Sequence, residues 1–248
     1  MTDLERRLSA AVREFWLTRR RQEKAQGSRS GRRDQGARSA VTGGAQLDGF
    51  VSLVSELLIE GGIPRAAIFR KKSEKLLPGY FRPTKEWDLL VVVDDALLAS
   101  IEFKAHIGPS FGNNYNNRTE EALGSATDLW TAFREGAFRL SPRPWLGYLM
   151  LLEEASQSTS PVAVKEPHFR VFEEYRDASY ARRYELFCDR LIRERLYDAA
   201  CLLLSDRIGG VRGSFTEPVT GLTFRNFVGS LTGHMIGYRK SREGLRGP

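Results

Sequence analysis

The sequence is poor in the residues that build disulfides and soft-metal sites. It contains only two cysteines and three histidines in 248 residues. Cys188 and Cys201 are too few for a disulfide framework, and their spacing matches no zinc motif. The histidines are scattered and form no ligand pattern with the cysteines. These absences exclude a disulfide-stabilised secreted scaffold and a zinc-binding module.

Long apolar runs and targeting segments are also lacking. No run approaches the roughly 20 apolar residues of a membrane-spanning helix, and the first residues have no secretory signal pattern. A Ser-His-Asp pattern and a phosphate-binding glycine fingerprint are absent too. With 41% hydrophobic and 28% charged residues, the composition is that of an ordinary soluble globule. We therefore expect a reduced, cytoplasmic protein without membrane contact.

The sequence carries an excess of positive charge, and most of it lies in one segment. The net charge is +7. Residues 18–39 have only two acidic residues against eight basic ones: Arg19, Arg20, Arg21, Lys24, Arg29, Arg32, Arg33 and Arg38. Glycines and serines in the same segment predict a mobile arm. Such an arm suits a polyanion, because it releases counterions from phosphates. Arg29, Arg32 and Arg33 are candidate DNA contacts, and the alternative is a solvated linker.

Two apolar stretches around a short acidic turn predict a β-hairpin. Residues 87–93 and 97–104 are rich in aliphatic and β-branched residues and flank a turn centred on Asp95. This register places Asp88 opposite Glu102, with Cβ atoms roughly 5 Å apart. Strand alternation puts Lys104 on the face of Glu102. The opposite face is expected to carry Trp87, Leu89, Ile101 and Phe103.

Two carboxylates and an ammonium at one end of a hairpin can hold a hard divalent cation and orient a water. A structural ion pair at a sheet end is the alternative. Glu56, on a predicted helix, is a candidate for a further metal contact, and a solvated glutamate is the alternative. His106 continues the face of Glu102, and we favour a structural or phosphate-contacting role for it.

Apolar periodicity predicts an α/β core at about 45–152 with the order helix, strand, strand, strand, helix, strand. The predicted helices lie at about 46–60 and 118–134, and the strands at about 66–69, 87–93, 97–104 and 145–152. A helix at 3–17 precedes the basic arm. A helix at 177–197, a strand at 199–204 and a helix at 221–238 follow the core. We expect residues 1–248 to form one domain, with additions at 1–44 and 153–248.

This order, with an acidic residue opening the second strand and Glu102-Phe103-Lys104 on the third, resembles the PD-(D/E)XK nuclease fold, a mixed β-sheet flanked by helices. A more specific likeness comes from four stretches, which are 77–83, 87–92, 101–104 and the asparagine-rich block from Gly108 to Arg118. With them, most of the chain resembles the XhoI family of type II restriction endonucleases. One departure is Trp87, which precedes Asp88 where the fold's motif has proline.

The resemblance implies an endonuclease that needs Mg²⁺, acts as a homodimer and makes double-strand cuts in duplex DNA at a palindromic site. The XhoI family reads 5′-CTCGAG and leaves a 5′ overhang. In this chain Asp88 and Glu102 would hold the Mg²⁺, and Lys104 would orient the attacking water or stabilise hydroxide. A cognate DNA methyltransferase is expected as the partner in the restriction system, because unprotected host DNA would be cut.

The asparagine-rich block is a candidate for reading bases. Asparagine pairs with adenine and arginine with guanine in the major groove. The candidates are Asn113, Asn114, Asn116, Asn117 and Arg118. The alternative is that the asparagines cap the following helix, with Asn117 as the cap. Arg82 and Lys85, just before the Asp88 strand, are candidate phosphate contacts.

Other interpretations stay open at this point. A repair or structure-selective nuclease of the same fold would keep the three catalytic residues but have no sequence preference on duplex DNA. A non-catalytic DNA-binding protein would bind duplex DNA without cutting it. A basic structural protein would carry the acidic cluster by accident.

Overall fold

The centre of the fold is a five-stranded mixed sheet. The structure, a computed structural model, describes residues 1–27, 44–139 and 141–243. The sheet strands are β1 (Ile68–Phe69), β4 (Leu89–Val93), β5 (Ala96–His106), β6 (Trp145–Glu153) and β7 (Ala199–Ser205), in that spatial order. β1, β4 and β5 are antiparallel neighbours, whereas β5, β6 and β7 are parallel. β2 (Leu76–Pro78) and β3 (Thr84–Glu86) form a separate antiparallel hairpin.

Helices cover both faces of this sheet. One apolar cluster joins the sheet to α1 (Asp3–Gly27), α2 (Asp48–Glu60) and α7 (Phe224–Glu243). A second cluster joins the other face to α3 (Phe111–Arg134) and α5 (Tyr180–Arg193). Two single-turn helices, α4 (Ser156–Thr159) and α6 (Arg207–Gly210), lie in the connections. β6 is buried along its whole length, as expected for a strand covered on both faces.

The predicted helices and strands follow one another along the chain as expected, and the structure adds a small hairpin and two single-turn helices that were not predicted. Every predicted helix and strand is present, but the β2–β3 hairpin was missed because strands of three residues with prolines nearby carry no periodic signal. β7 extends the central sheet although it lies in the segment assigned to the C-terminal addition. No helix in the described part of the chain is long and apolar enough to cross a membrane.

The β4–β5 hairpin has the predicted register at its far end but a different turn. Asp94 and Asp95 both have positive φ and form a two-residue turn, so Val93 pairs with Ala96. The ladder then shifts, since Val91 pairs with Ala99 and Val92 with Leu97. Leu98 is the extra residue of this bulge. Beyond it Leu89 pairs with Ile101, which is the predicted register.

The first part of the predicted mobile arm is helical instead. α1 continues from the predicted helix through Gly27. Its last turns are stabilised by Glu23, which accepts hydrogen bonds from Arg19 at 3.2 Å and from Arg207 at 2.9 Å. The glycines and serines from which a mobile arm was predicted all lie at residue 27 or beyond, so residues 18–26 contain no helix breaker. Arg29, Arg32 and Arg33 lie outside the described residues.

Candidate active site

Asp88 lies at the corner where the chain passes from the small hairpin to the central sheet. Its neighbour Trp87 still belongs to the small hairpin, because the Trp87 N–H donates to the Lys75 carbonyl at 2.9 Å. The Asp88 N–H donates to the Ile101 carbonyl at 3.2 Å, and the Phe103 N–H donates to the Asp88 carboxylate at 2.8 Å. The Asp88 side chain is thereby tied to the strand that carries Glu102.

The expectation for Trp87 was wrong. It was expected on the face of Leu89, Ile101 and Phe103, but it packs in the cluster on the opposite side of the sheet. Regular alternation does not extend back through the corner at Asp88, since β4 begins only at Leu89. The other three residues lie together on the predicted face.

Glu102 is a buried carboxylate with two ammonium groups on one oxygen. Lys104 Nζ lies 2.9 Å and Lys85 Nζ 3.1 Å from Glu102 Oε1. The hydroxyl of Tyr197 lies 3.3 Å from the other oxygen, Oε2, and 3.1 Å from the Ala122 carbonyl. Since the glutamate side chain is only 2% exposed, this environment replaces the water that a charged carboxylate requires.

The ion pairs continue from Glu102 to α3. Lys104 also approaches Glu121 at 3.5 Å, and Glu121 accepts a hydrogen bond from Arg118 at 2.6 Å. Five side chains of alternating charge therefore run from the small hairpin across β5 to α3, namely Lys85, Glu102, Lys104, Glu121 and Arg118. This series confirms that Glu102 and Lys104 share a face and adds Glu121 and Tyr197, which no local sequence pattern indicated.

The pKa values of Asp88 and Glu102 are shifted in opposite directions. Burial raises the pKa of Asp88, although the Phe103 N–H and the Lys104 charge oppose the shift. Burial also acts to raise the pKa of Glu102, but Lys104 and Lys85 outweigh it, and the Glu102 pKa lies below its ordinary value. The pKa of Lys104 is raised: burial alone would lower it, but the charge and hydrogen bond of Glu102 and the charges of Asp88 and Glu121 together outweigh burial. The negative charge of Glu102 adds to the rise in the Asp88 pKa.

Arg82 stabilises the tip of the β2–β3 hairpin through its ion pair with Asp128. Its Nε donates to Asp128 at 2.7 Å, and the same carboxylate accepts the N–H groups of Tyr80 at 2.7 Å and Phe81 at 2.8 Å. The Arg82 side chain remains 44% exposed, so part of it is open to solvent. Lys85, the other predicted phosphate contact, is 13% exposed and points to Glu102 instead.

Glu56 does not join the cluster. Its carboxylate accepts a hydrogen bond from Arg7 at 3.1 Å, on the side of α2 that packs against α1, and its side chain is 60% exposed. The acidic residue of α2 that does share a cleft with Asp88 is Asp48, beside Ser52 and Lys75.

The asparagine-rich block is the start of α3 and not a loop. α3 begins at Phe111 after Ser110, so Asn117 is not its cap. Asn113, Asn116 and Asn117 are exposed and lie three and four residues apart, which places them on one face of the helix. No hydrogen bond within the described residues uses their side-chain amides. Asn117 is one turn before Glu121, so this face adjoins Lys104.

His106 is buried behind the site. Its Nδ1 lies 2.8 Å from the Tyr184 hydroxyl, and its ring packs 4.9 Å from that of Phe111. Burial lowers the pKa of His106 to about 4, so the ring is neutral near pH 7. The structural role favoured from the sequence agrees with this position, because a side chain 1% exposed cannot reach a phosphate.

The donor set fits Mg²⁺ better than a metal that requires a closed protein site. Among the described residues, no three His, Cys, Asp or Glu side chains converge on a common metal position. Mg²⁺ is usually held by one or two carboxylates and completes its shell with waters and substrate phosphate. Asp88 and Glu102 are two such carboxylates. Asp88 borders a cleft with Asp48 and Lys75, and its carboxylate is hydrogen-bonded to the strand that carries the buried Glu102.

Comparison with known proteins identifies the family. The model of the restriction endonuclease XhoI family matches residues 26–217. The chain belongs to this family. It is 54% identical to the type II restriction enzyme BstVI of Geobacillus stearothermophilus over 82% of this chain and 92% of that relative. No solved structure matches the chain significantly.

Two further relatives support the XhoI-family assignment. The type II restriction enzyme AbrI of Azospirillum brasilense is 51% identical over 68% of this chain and 76% of its own length. The type II restriction enzyme XhoI of Xanthomonas vasicola is 43% identical over 74% of this chain and 75% of its own length. This XhoI-family member is a site-specific deoxyribonuclease, as the sequence predicted.

Proposed function

We propose that this protein uses a PD-(D/E)XK site to make Mg²⁺-dependent double-strand cuts in duplex DNA at a palindromic sequence, 5′-CTCGAG. The observation that carries the proposal is the buried Glu102 carboxylate, which lies 2.9 Å from Lys104. The Asp88 carboxylate is hydrogen-bonded to the same strand through the Phe103 N–H. The name of the Xanthomonas vasicola relative, with 43% identity, supports the choice of target.

The roles follow from the chemistry of each side chain. Asp88 and Glu102 supply carboxylate oxygens to a Mg²⁺ ion, which when bound relieves charge on the scissile phosphate and lowers the pKa of the attacking water. Lys104 keeps its ammonium beside Glu102, where it orients that water and stabilises developing hydroxide. Tyr197 holds the inner oxygen of Glu102, so the carboxylate keeps one orientation.

We assign base reading to the first two turns of α3. Their exposed asparagine face makes no side-chain hydrogen bond to the part of the chain that the structure describes, and it adjoins the Lys104–Glu121 pair. A helix inserted in the major groove would therefore lie next to the cut phosphate. Asn113, Asn114, Asn116 and Asn117 are the candidate readers. Arg118 supports them from the helix and pairs with Glu121. Arg82, Arg29, Arg32 and Arg33 are proposed phosphate contacts.

A palindromic target is read most simply by a twofold dimer, because each protomer meets an identical half-site. We therefore propose a homodimer on DNA. A cognate methyltransferase that protects the same sequence completes the system, without a requirement for physical contact.

Plasmid digestion tests the function directly. We expect discrete fragments with Mg²⁺, uncut plasmid with EDTA, and fragment ends that all map to 5′-CTCGAG with a 5′ overhang. Discrete ends at a different sequence would retain the enzyme class and reject the target. A smear of fragments would instead support a nuclease of the same fold without sequence preference, and binding without cleavage would reject catalysis.

A further inference from the structure

Lys85 is a second cation on the carboxylate that is proposed to hold the metal. It lies on β3 of the small hairpin, and its Nζ is 3.1 Å from Glu102 Oε1. The same Nζ is 3.3 Å from the Glu86 carbonyl and 4.5 Å from the centre of the Trp87 ring. Only 13% of the side chain is exposed, so its position is defined by these contacts.

The two lysines on Glu102 are not equivalent. Lys104 lies on the central strand β5 and has a second carboxylate partner, Glu121, at 3.5 Å. Lys85 has no second carboxylate among the described salt bridges, and its strand pairs over only three residues with β2. A lysine ammonium is a compact charge on a flexible stem and does not require a fixed fork geometry. Of the two lysines, Lys85 is therefore the one whose ion pair with Glu102 is more easily broken.

A carboxylate oxygen that already faces two ammonium groups has little remaining affinity for a divalent cation. Because Tyr197 occupies the neighbourhood of Oε2, Oε1 is the oxygen that both lysines and a metal would share. A metal at this oxygen would stand next to Lys85 and be repelled by it. A DNA phosphate, in contrast, would offer Lys85 a new negative partner.

We propose that Lys85 is an internal counter-cation that occupies Glu102 in the free protein and moves to a DNA phosphate when duplex binds, which opens Glu102 to the metal. This rests on the proposed function. Metal binding and DNA binding are then positively coupled, and by linkage each strengthens the other. The free protein would bind divalent ions weakly and so remain inactive away from DNA.

The test is a titration of Mn²⁺ into the protein alone, followed by electron paramagnetic resonance of the free ion. We expect Lys85→Met to raise Mn²⁺ affinity by about tenfold, in the range that metal-site partners usually control. Lys85→Arg, which keeps the charge, should stay close to wild type. Circular dichroism and thermal unfolding verify that each variant is folded.

Lys75→Met is the matched control. Lys75 lies just before β2, in the same hairpin region; its side chain is 14% exposed and bonds to Glu86, and its charge acts on Asp88 without contacting Glu102. We expect its effect to be less than about threefold, since its ammonium is paired with Glu86 and not with a carboxylate that is proposed to hold the metal. An equal rise in both variants would mean a general charge effect and overturn the proposal, as would an unchanged affinity in Lys85→Met.

A second measurement follows duplex binding in EDTA as a function of salt. Lys85→Met should lower the slope of log affinity against log salt by about one, because one phosphate contact is lost. An unchanged slope would overturn the movement to phosphate. If the wild-type protein bound no duplex at all, the proposed function would fail, whereas the Mn²⁺ titration would still report on the Lys85–Glu102 contact.

Discussion

Two buried glutamates on neighbouring strands, Glu102 on β5 and Glu153 on β6, are neutralised in different ways. Glu102 faces two lysines and a tyrosine hydroxyl. Glu153 receives the guanidinium of Arg207 through two nitrogens, and its Oε2 also accepts the Gly108 N–H at 2.8 Å. Arg207 in turn binds Glu23, so this second cluster joins α1, β6 and the segment after β5.

The difference separates a structural ion pair from an exchangeable one. A guanidinium presents several donors in a rigid fork and matches a carboxylate in one geometry. The Glu153 cluster therefore fixes the positions of four segments, because Arg207 itself lies on α6. Ammonium groups impose no such geometry, so the charge beside Glu102 can be replaced by another cation at small structural cost. We infer that burial of an acidic side chain does not by itself identify an active site. The type of cation paired with that side chain, arginine or lysine, is also informative.

The largest expected effect is the loss of DNA cleavage when Glu102, and not Glu153, is the glutamate that holds the metal. Glu102→Ala should lower the cleavage rate by more than about a hundredfold, since loss of an outer partner of a metal ligand alone costs 10–100-fold. Asp88→Ala and Lys104→Ala should behave alike, and all three should still bind target DNA in EDTA. Plasmid cleavage and gel-shift titration provide the measurements. Near wild-type cleavage by any of the three would reject the role of that residue.

The second effect is on stability and concerns the Glu153 cluster. Arg207→Met should lower the free energy of unfolding by about 1–3 kcal/mol, because it leaves a buried carboxylate with only backbone support. Urea unfolding monitors the change, and cleavage per folded molecule should persist. Arg225→Met is the control, since its 4.0 Å pair with Glu5 is exposed on both sides. Equal losses in both variants would contradict the structural role of Arg207.

The third prediction is that removal of the Asp88 charge raises the stability of the folded protein. Its pKa is raised in the folded protein, so the folded state holds the proton more tightly than the unfolded chain. The ionised form therefore lowers stability once the pH exceeds the raised pKa, and below the ordinary value of 3.8 this cost disappears. Asp88→Asn in EDTA should be more stable near pH 7, by about 0.5–2 kcal/mol.

The advantage of Asp88→Asn should shrink as the pH falls toward 4. Urea midpoints at several pH values measure it. Glu102→Gln is the opposite case, because the Glu102 pKa is lowered and its charge stabilises the fold above its ordinary pKa. A stabilisation by Glu102→Gln at neutral pH, or its absence in Asp88→Asn, would contradict these signs.

The smallest effect is expected at Glu56, which lies outside both buried clusters. Glu56→Gln should change stability by less than about 1 kcal/mol, because the pair with Arg7 is exposed and Arg7 keeps Glu60 at 2.8 Å. Metal affinity and cleavage should stay at wild-type levels. A loss of Mn²⁺ binding in this variant would restore Glu56 as a metal contact.

The β4–β5 hairpin shows which features of the site follow from the local sequence pattern and which depend on the three-dimensional structure. Alternation along β5 predicted that Glu102 and Lys104 share a face, and it did so correctly because their spacing is set within one strand. The predicted register was also confirmed at Leu89 and Ile101, the pair next to Asp88, but it arises through a two-residue turn and a bulge at Leu98. Without the bulge, the two-residue turn would bring Asp88 opposite Ile101 and move the carboxylates to different faces.

The apolar strands, the helices of the core, the family and the pair Glu102 and Lys104 were predictable from the sequence, since they depend on periodicity and on short motifs. The distant side chains that complete the site are brought together by tertiary packing. Lys85, Glu121 and Tyr197 reach Glu102 or Lys104 from three separate elements. Their approach depends on how helices and hairpin pack on the sheet, and no spacing along the chain encodes such contacts.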